Sequence, residues 1–153
     1  GGLRKPIPTE VKLRHVLETF PFGNTFVKFK LTGSQLKLLL ENNAKSTNDD
    51  WYQMPKTLSY QLDSNKPDGQ RVVSIKFKGI DITDDQVFTA VTNNYGWGKG
   101  KKYLGQDTAD LIANGGHEAV LDLDKNIYID YLKAHKGNMS DFSISQRIVN
   151  IAK

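Results

Sequence analysis

Phe26-Val27-Lys28-Phe29-Lys30-Leu31-Thr32-Gly33-Ser34-Gln35-Leu36-Lys37-Leu38-Leu39-Leu40 contains a change of period. Phe26, Phe29 and Leu31 alternate imperfectly with Lys28 and Lys30, which predicts a strand. Thr32-Gly33-Ser34-Gln35 then has the form of a capping box. The Thr32 hydroxyl accepts from the amide three residues on, while the Gln35 side chain reaches back. Leu36, Leu38, Leu39 and Leu40 follow as the core face of a helix, with one leucine to spare. A strand that runs straight into a capped helix places the chain in the mixed α/β (α+β) class.

The same reading extends outward. Glu10 to Phe20 carries Val11, Leu13, Val16 and Leu17 at helical spacing, and Pro21-Phe22-Gly23-Asn24 breaks it. Thr57–Leu62 and Arg71–Phe77 flank the turn Asn65-Lys66-Pro67-Asp68-Gly69 and predict a hairpin. Gly79-Ile80-Asp81 reads as a further turn, and Gln86–Thr92 as a third strand that should stop at Asn93-Asn94-Tyr95-Gly96-Trp97. Asp124–His135 reads as a helix ended by Gly137, and Phe142–Ile151 as a closing strand. Ser46-Thr47-Asn48-Asp49-Asp50 is a loop rather than a boundary, so residues 1–153 form one domain.

Composition narrows the function. There is no cysteine, which excludes disulfide scaffolds, thiolate zinc sites and thiol nucleophiles. No apolar run approaches the roughly 18–20 residues of a membrane span. The opening Gly1-Gly2-Leu3-Arg4 has neither an initiator Met nor a signal sequence, so a piece of a longer protein is expected. Lys+Arg 21 against Asp+Glu 17 leaves +4, with the two signs interspersed. The local exception is Trp97-Gly98-Lys99-Gly100-Lys101-Lys102-Tyr103, where lysines, glycines and aromatics mix. Such a loop suits phosphate and a stacked base, although most basic loops are simply solvated.

Catalytic signatures are missing. His15, His117 and His135 sit in no metal-binding or nucleophile motif, and Gly116-His117-Glu118 has no accompanying ligand cluster. A dinuclear hydrolase needs several His and Asp ligands from separate loops. No catalytic residue and no metal ligand is therefore assigned in this chain. What remains is a binding surface. Phe22 and Tyr95 each lie in a Gly/Asn-rich turn, beside Asn24 and Asn94. An aromatic in such a turn either anchors the loop or stands exposed as a stacking platform. Two of them can hold a planar base, with an amide at its edge. Arg4, next to two glycines, suits a phosphate or carboxylate, or an ordinary surface ion pair.

Five segments occur in order: Gly1-Gly2-Leu3-Arg4; Pro21-Phe22-Gly23-Asn24-Thr25; Leu31-Thr32-Gly33-Ser34-Gln35-Leu36; Lys66-Pro67-Asp68-Gly69-Gln70-Arg71-Val72-Val73; and Ala90-Val91-Thr92-Asn93-Asn94-Tyr95. Together they resemble the C-terminal, substrate-specificity domain of the 5'-nucleotidase family. That family includes UDP-sugar hydrolases and 2',3'-cyclic-nucleotide phosphodiesterases. The resemblance covers Gly1 to about Tyr103 clearly. It implies a mixed sheet flanked by helices, in an exported two-domain hydrolase that is extracellular, periplasmic or on the cell surface. It also implies an N-terminal metallophosphatase domain, absent from this chain, that holds two divalent metal ions. The ligand would be a nucleoside or nucleotide, with no membrane span and no nucleic-acid partner. By motif position Phe22 and Tyr95 would clamp the base, Asn24 would meet its edge, and Arg4 would face the ribose or phosphate.

One departure bears on substrate choice. Many family members follow the second aromatic with Gly-Gly-Asp-Gly, whose Asp holds the ribose diol. Here the stretch is Gly98-Lys99-Gly100-Lys101-Lys102. A lysine donates where a carboxylate accepts, so Lys101 becomes a candidate ligand for a 2' or 3' phosphate, and Trp97 a fluorescent reporter of binding. The competing reading is an oligonucleotide or anionic-polymer module working through Lys99–Lys102. That module would show a steep salt dependence, unlike a mononucleotide clamp.

Overall fold

Helix α1 (Leu13–Thr19) leads into strand β1 (Phe26–Thr32), and β1 passes without a loop into helix α2 (Gly33–Asn43). At the joint Thr32 Oγ1 accepts from the Gln35 amide at 3.3 Å, and Gln35 Oε1 accepts from the Thr32 amide at 2.9 Å. The capping box is thus formed from both sides. Leu36 and Leu40 face the core and Leu38 is exposed, so Leu38 is the leucine to spare.

The computed structural model describes residues 3–47, 51–136 and 146–152. After α2 come β2 (Leu58–Leu62), β3 (Val72–Phe77), β4 (Ile80–Asp81) and β5 (Val87–Asn93). Three short helices follow: α3 (Asn94–Gly98), α4 (Lys101–Leu104) and α5 (Thr108–Ile112). Strand β6 (His117–Val120), α6 (Asp124–Ala134) and β7 (Ile148–Asn150) complete the order.

The strands form two sheets. β5, β1 and β6 make an antiparallel sheet with β1 in the centre, in register Phe29↔Ala90 and Phe29↔His117. The second sheet has the order β4-β3-β2-β7 and is mixed, because β7 runs parallel to β2 while the other pairs are antiparallel. Phe29 and Leu31 of the first sheet, Leu36 and Leu40 of α2, and Leu58, Tyr60 and Ile75 of the second share one hydrophobic core. The architecture is the expected mixed α/β domain.

The hairpin β2–β3 forms as expected, and its turn is fastened to the far end of α2. Asp68 accepts from the Ser46 amide at 2.9 Å and pairs with Arg71 Nε at 3.2 Å. The Ser46 backbone bond, then the Ser46 hydroxyl and Arg71, hold the Asp68 carboxyl below the usual range. Arg71 Nη1 also donates to the Ala44 carbonyl at 3.1 Å.

Other expectations change. Regular structure does not stop at Asn93, because Asn94–Gly98 is a helical turn. Lys78-Gly79 makes the tight turn, and Ile80-Asp81 pairs with β3 as a short strand. The closing strand is confined to Ile148–Asn150 among the described residues. Gly1, Gly2, Gly137 and the 48–50 and 142–145 parts of the expected loop and strand lie outside them.

Tyr60 gives the core a testable pH signature. It is 2% exposed, and its hydroxyl has no hydrogen-bond partner among the described residues. Burial first, then the Glu41 charge and Tyr52, push its pKa up to about 12. The folded state therefore holds this proton more tightly than the unfolded chain. Stability from it is complete below about pH 10 and lost between about pH 10 and 12, amounting to about 2–3 kcal/mol. Tyr60→Phe should remove that alkaline loss and leave neutral-pH stability unchanged or slightly higher, measured by urea unfolding from pH 8 to 11.5. A variant that loses stability at high pH as steeply as the parent would disprove the assignment.

Candidate functional site

A cleft of about 670 Å³ opens on three walls. That is within the range of small-molecule sites, about 300–1,000 Å³. The first wall holds Arg4, Phe22 and Asn24. Gly23 takes φ +60, which bends the turn sharply after Phe22. The Asn24 carbonyl accepts from the Asp124 amide at 2.8 Å, fixing the turn against the start of α6. The Asn24 Nδ2 lies 3.4 Å from Asp124 Oδ2. The Arg4 amide donates to the Thr19 carbonyl at 3.1 Å, and its guanidinium carbon sits 4.9 Å from the centroid of the Phe22 ring. Arginine over an aromatic face is a cation–π arrangement that orients both groups.

The second wall is the joint between β5 and α3, with Thr92, Asn93, Tyr95 and Gly96. Asn93 Oδ1 accepts from the Gly96 amide at 2.6 Å, which starts α3 and turns Tyr95 into the cleft. Tyr95 meets Tyr103 edge-on at 5.6 Å, and Lys99 Nζ lies 5.3 Å from its ring centroid. Phe22 and Tyr95 are 55% and 53% exposed, so neither is folded under as a loop anchor.

The third wall is made by the end of α2 (Asn42), Lys45 and Thr47, the segment Trp51–Gln53, and Lys102 and Tyr103 of α4. Sequence motifs marked none of these as a site residue, apart from Lys102 and Tyr103 within the basic, aromatic loop. The cleft thus gathers Arg4, Phe22, Asn24 and Tyr95 in one place, and it leaves two candidates outside its lining. Asn94 Oδ1 accepts from the Thr25 amide at 3.2 Å, so its side chain ties α3 to the start of β1. Lys101 does not line the cleft, whereas Lys102 does. The lysines of Lys99–Lys102 diverge: Lys99 over Tyr95, Lys102 in the third wall.

Trp97 is also elsewhere. It packs against Phe29 at 5.0 Å and stacks on His117 at 5.3 Å, so the tryptophan placed to report on the cleft is Trp51. His15 bonds to the Lys12 amide at the start of α1, and His135 stacks on Tyr131. No group of three His, Cys, Asp or Glu side chains that would hold a metal ion occurs among the described residues.

Among the described residues the charge of the lining is one-sided: Arg4, Lys45 and Lys102 line the cleft with no aspartate or glutamate. With two half-exposed aromatics and cations at two walls, the cleft suits a planar, anionic ligand.

Comparison with known proteins agrees with this architecture. Residues 1–106 match the family described as 5'-nucleotidase, C-terminal domain. The chain is 30% identical over 103 residues to the trifunctional nucleotide phosphoesterase protein YfkN of Bacillus subtilis, a match covering 62% of this chain and 7% of that protein. The crystal structure of the 5'-nucleotidase precursor from Thermus thermophilus superposes with a TM-score of 0.78 at 25% identity, over 99% of this chain and 30% of that one. The Haemophilus influenzae NAD nucleotidase NadN gives 0.68 at 22% identity, over 94% and 27%, and supports the fold. No helix among the described residues is long and apolar enough to cross a membrane. The family match runs through Phe22, the capping box, the stapled hairpin and Tyr95, well over half of the sequence, and the chain belongs to the 5'-nucleotidase C-terminal domain family.

Proposed function

We propose that this domain binds the nucleotide substrate of a phosphoesterase, with the base held between Phe22 and Tyr95. The single observation that carries this reading is that two half-exposed aromatics from distant segments line one cleft with three cations and, among the described residues, no carboxylate. Asn24 meets the base edge, and Arg4 faces the ribose and phosphate. An aromatic clamp holds a base without deep burial, each stacked ring contributing about 1–3 kcal/mol.

Because the chain spans 30% of the Thermus 5'-nucleotidase precursor and 7% of YfkN, hydrolysis belongs to the rest of the protein in this proposal. The family resemblance supplies an N-terminal metallophosphatase domain whose two divalent ions would activate water at the phosphorus. The part of this chain in that reading is to bind the nucleotide and present its phosphate. The same resemblance places the full protein outside the cytoplasm, at the cell surface, in the periplasm or secreted.

Titration with adenosine, AMP, 3'-AMP and 2',3'-cyclic AMP, followed by Trp51 fluorescence and amide NMR shifts, tests the reading. Saturable shifts should centre on Phe22, Asn24 and Tyr95. Phe22→Ala and Tyr95→Ala should each weaken binding by about 1–3 kcal/mol without loss of fold, since both rings are half exposed. If both substitutions leave every affinity unchanged, there is no clamp.

A further inference from the structure

The sheet β5-β1-β6 ends on one side at β5, and the pairing with β1 tells which main-chain groups of β5 face outward. Just past the strand the Asn94 amide donates to the Thr25 carbonyl at 2.9 Å, so residue 94 turns its N–H toward β1. Hydrogen bonding alternates along an antiparallel strand, so Thr92, Ala90 and Phe88 also turn toward β1. Val87, Thr89 and Val91 turn theirs the other way. The main-chain groups of Thr89 and Val91 meet no partner on that side among the described residues.

An open strand edge is a template for pairing with another chain, and folded proteins blunt such edges with charge, proline or a bulge. β5 has none of the three. Its sequence, Val-Phe-Thr-Ala-Val-Thr-Asn, is uncharged and free of proline. Its register with β1 runs unbroken from Phe26↔Asn93 to Thr32↔Val87. The side chains of Val87, Thr89 and Val91 stand on the outer face of the sheet, and both valines are 59% exposed. The opposite edge of the same sheet, β6, is by contrast short and carries Glu118.

The strand is also its own complement, because Val87 and Val91 lie symmetrically about Thr89. A second β5 laid antiparallel sets Val87 opposite Val91, Thr89 opposite Thr89 and Val91 opposite Val87. Each of these pairs exchanges both hydrogen bonds, since all three residues point their main-chain groups outward. On the outer face valine then meets valine and threonine meets threonine, both favourable cross-strand pairs. We infer that β5 pairs with β5 of a second copy of this chain, antiparallel about a two-fold axis at Thr89. Two three-stranded sheets become one of six strands. The contact is isologous and closes at two copies. It brings no like charges together. Lys30 neighbours Thr89 on β1, so the two copies of Lys30 stand three strand spacings apart, about 14 Å, beyond the Debye length of about 8 Å.

The test is sedimentation velocity together with amide hydrogen exchange, each run on this chain from micromolar to millimolar concentration. A monomer–dimer equilibrium should appear. The Thr89 and Val91 amides should exchange more slowly as the dimer forms, while Ala90 and Thr92, already paired with β1, stay slow throughout. Thr89→Lys sets like charges opposite each other at the axis and should weaken the dimer about tenfold or more. Thr89 is exposed, so the variant should keep the parent's circular dichroism and urea midpoint when both are monomeric. Thr89→Glu should weaken the dimer in the same way. An equimolar mixture of the two variants should dimerise again, as lysine meets glutamate across the axis. A chain that stays monomeric at millimolar concentration overturns the pairing. So does a dimer that Thr89→Lys leaves intact, or assembly beyond two copies. Thr89 and Val91 amides already slow in the dilute monomer would mean that the chain covers its own edge, and would overturn it as well.

Discussion

Replacing Gly33 with alanine is expected to lower folding stability by about 3 kcal/mol, the upper end for an overpacked site. An alanine Cβ there would sit 2.0 Å from the Thr83 carbonyl oxygen and 3.0 Å from its carbon. Neither atom belongs to a flexible side chain. The Thr83-Asp84 segment is held against the helix, because the Ser34 amide donates to the Asp84 carbonyl at 3.0 Å. Making room breaks that bond and exposes an amide of the first turn of α2. A loss of this size corresponds to a melting temperature roughly 6–12 °C lower in a chain of this length. Gly98→Ala is the control, since nothing lies within 4 Å of its added Cβ, and it should leave stability unchanged or raised. A Gly33→Ala protein that melts with the parent would show that the 83–84 segment does not cross the helix start.

That glycine illustrates what sequence conveys and what it does not. The Thr32–Gln35 capping box is a local device, written in four consecutive residues and formed as read. The Pro67-Asp68-Gly69 turn is equally local. The need for glycine at position 33 is not local, because it is imposed by a carbonyl fifty residues away in the chain. Helix α3 carries Gly96 and Gly98, poor helix formers that conceal it in the sequence. The signal that could have revealed it is Asn93, a helix-capping residue three before the amide it accepts. Strand β6 was missed because His117-Glu118-Ala119 lacks alternating apolar residues; its pairing with β1 supplies what the pattern does not.

The site divides along the same line. Phe22, Asn24 and Tyr95 stand in short turn motifs, and the structure brings them to one cleft with Arg4. The third wall comes from residues 42–47 and 51–53 meeting 102–103, a long-range contact that no window of sequence contains. The choice between Lys101 and Lys102 is a rotation of one residue about a helix axis, about 100°, which composition cannot fix. The family-like stretch Lys66–Val73 has a structural explanation of its own. Asp68 and Arg71 fasten the hairpin to the end of α2, next to Asn42, which lines the cleft.

The same fastening has a buried half, and removing it is the second large effect expected. Glu41 is 5% exposed, and its two carboxylate oxygens accept from the amides of Arg71 at 3.0 Å and Val72 at 2.8 Å. The side chain of the last turn of α2 therefore accepts from two consecutive amides at the start of β3, Arg71 just before it and Val72 as its first residue. Glu41→Leu keeps the bulk and removes both acceptors, leaving two amides at the core boundary unpaired. Each orphan costs about 1–3 kcal/mol, so a loss of about 4 kcal/mol is expected in urea unfolding. Glu41→Gln should lose less, because its one carbonyl oxygen still serves one amide while its NH2 group faces the other. The order Glu > Gln > Leu in stability is the diagnostic result. Tyr60 supplies an independent readout, since the Glu41 charge is part of what raises its hydroxyl. In Glu41→Gln that hydroxyl should ionise at lower pH, followed by ultraviolet absorbance. A Gln variant as stable as the parent, with an unmoved Tyr60 titration, would mean that the carboxylate does not bridge α2 to β3. If the bridge holds, Glu41→Gln should also speed hydrogen exchange at the Arg71 and Val72 amides ahead of global unfolding. Asn42 and Asn43 follow Glu41 directly on the helix, so the bridge that holds the hairpin also sets where the third wall of the cleft stands.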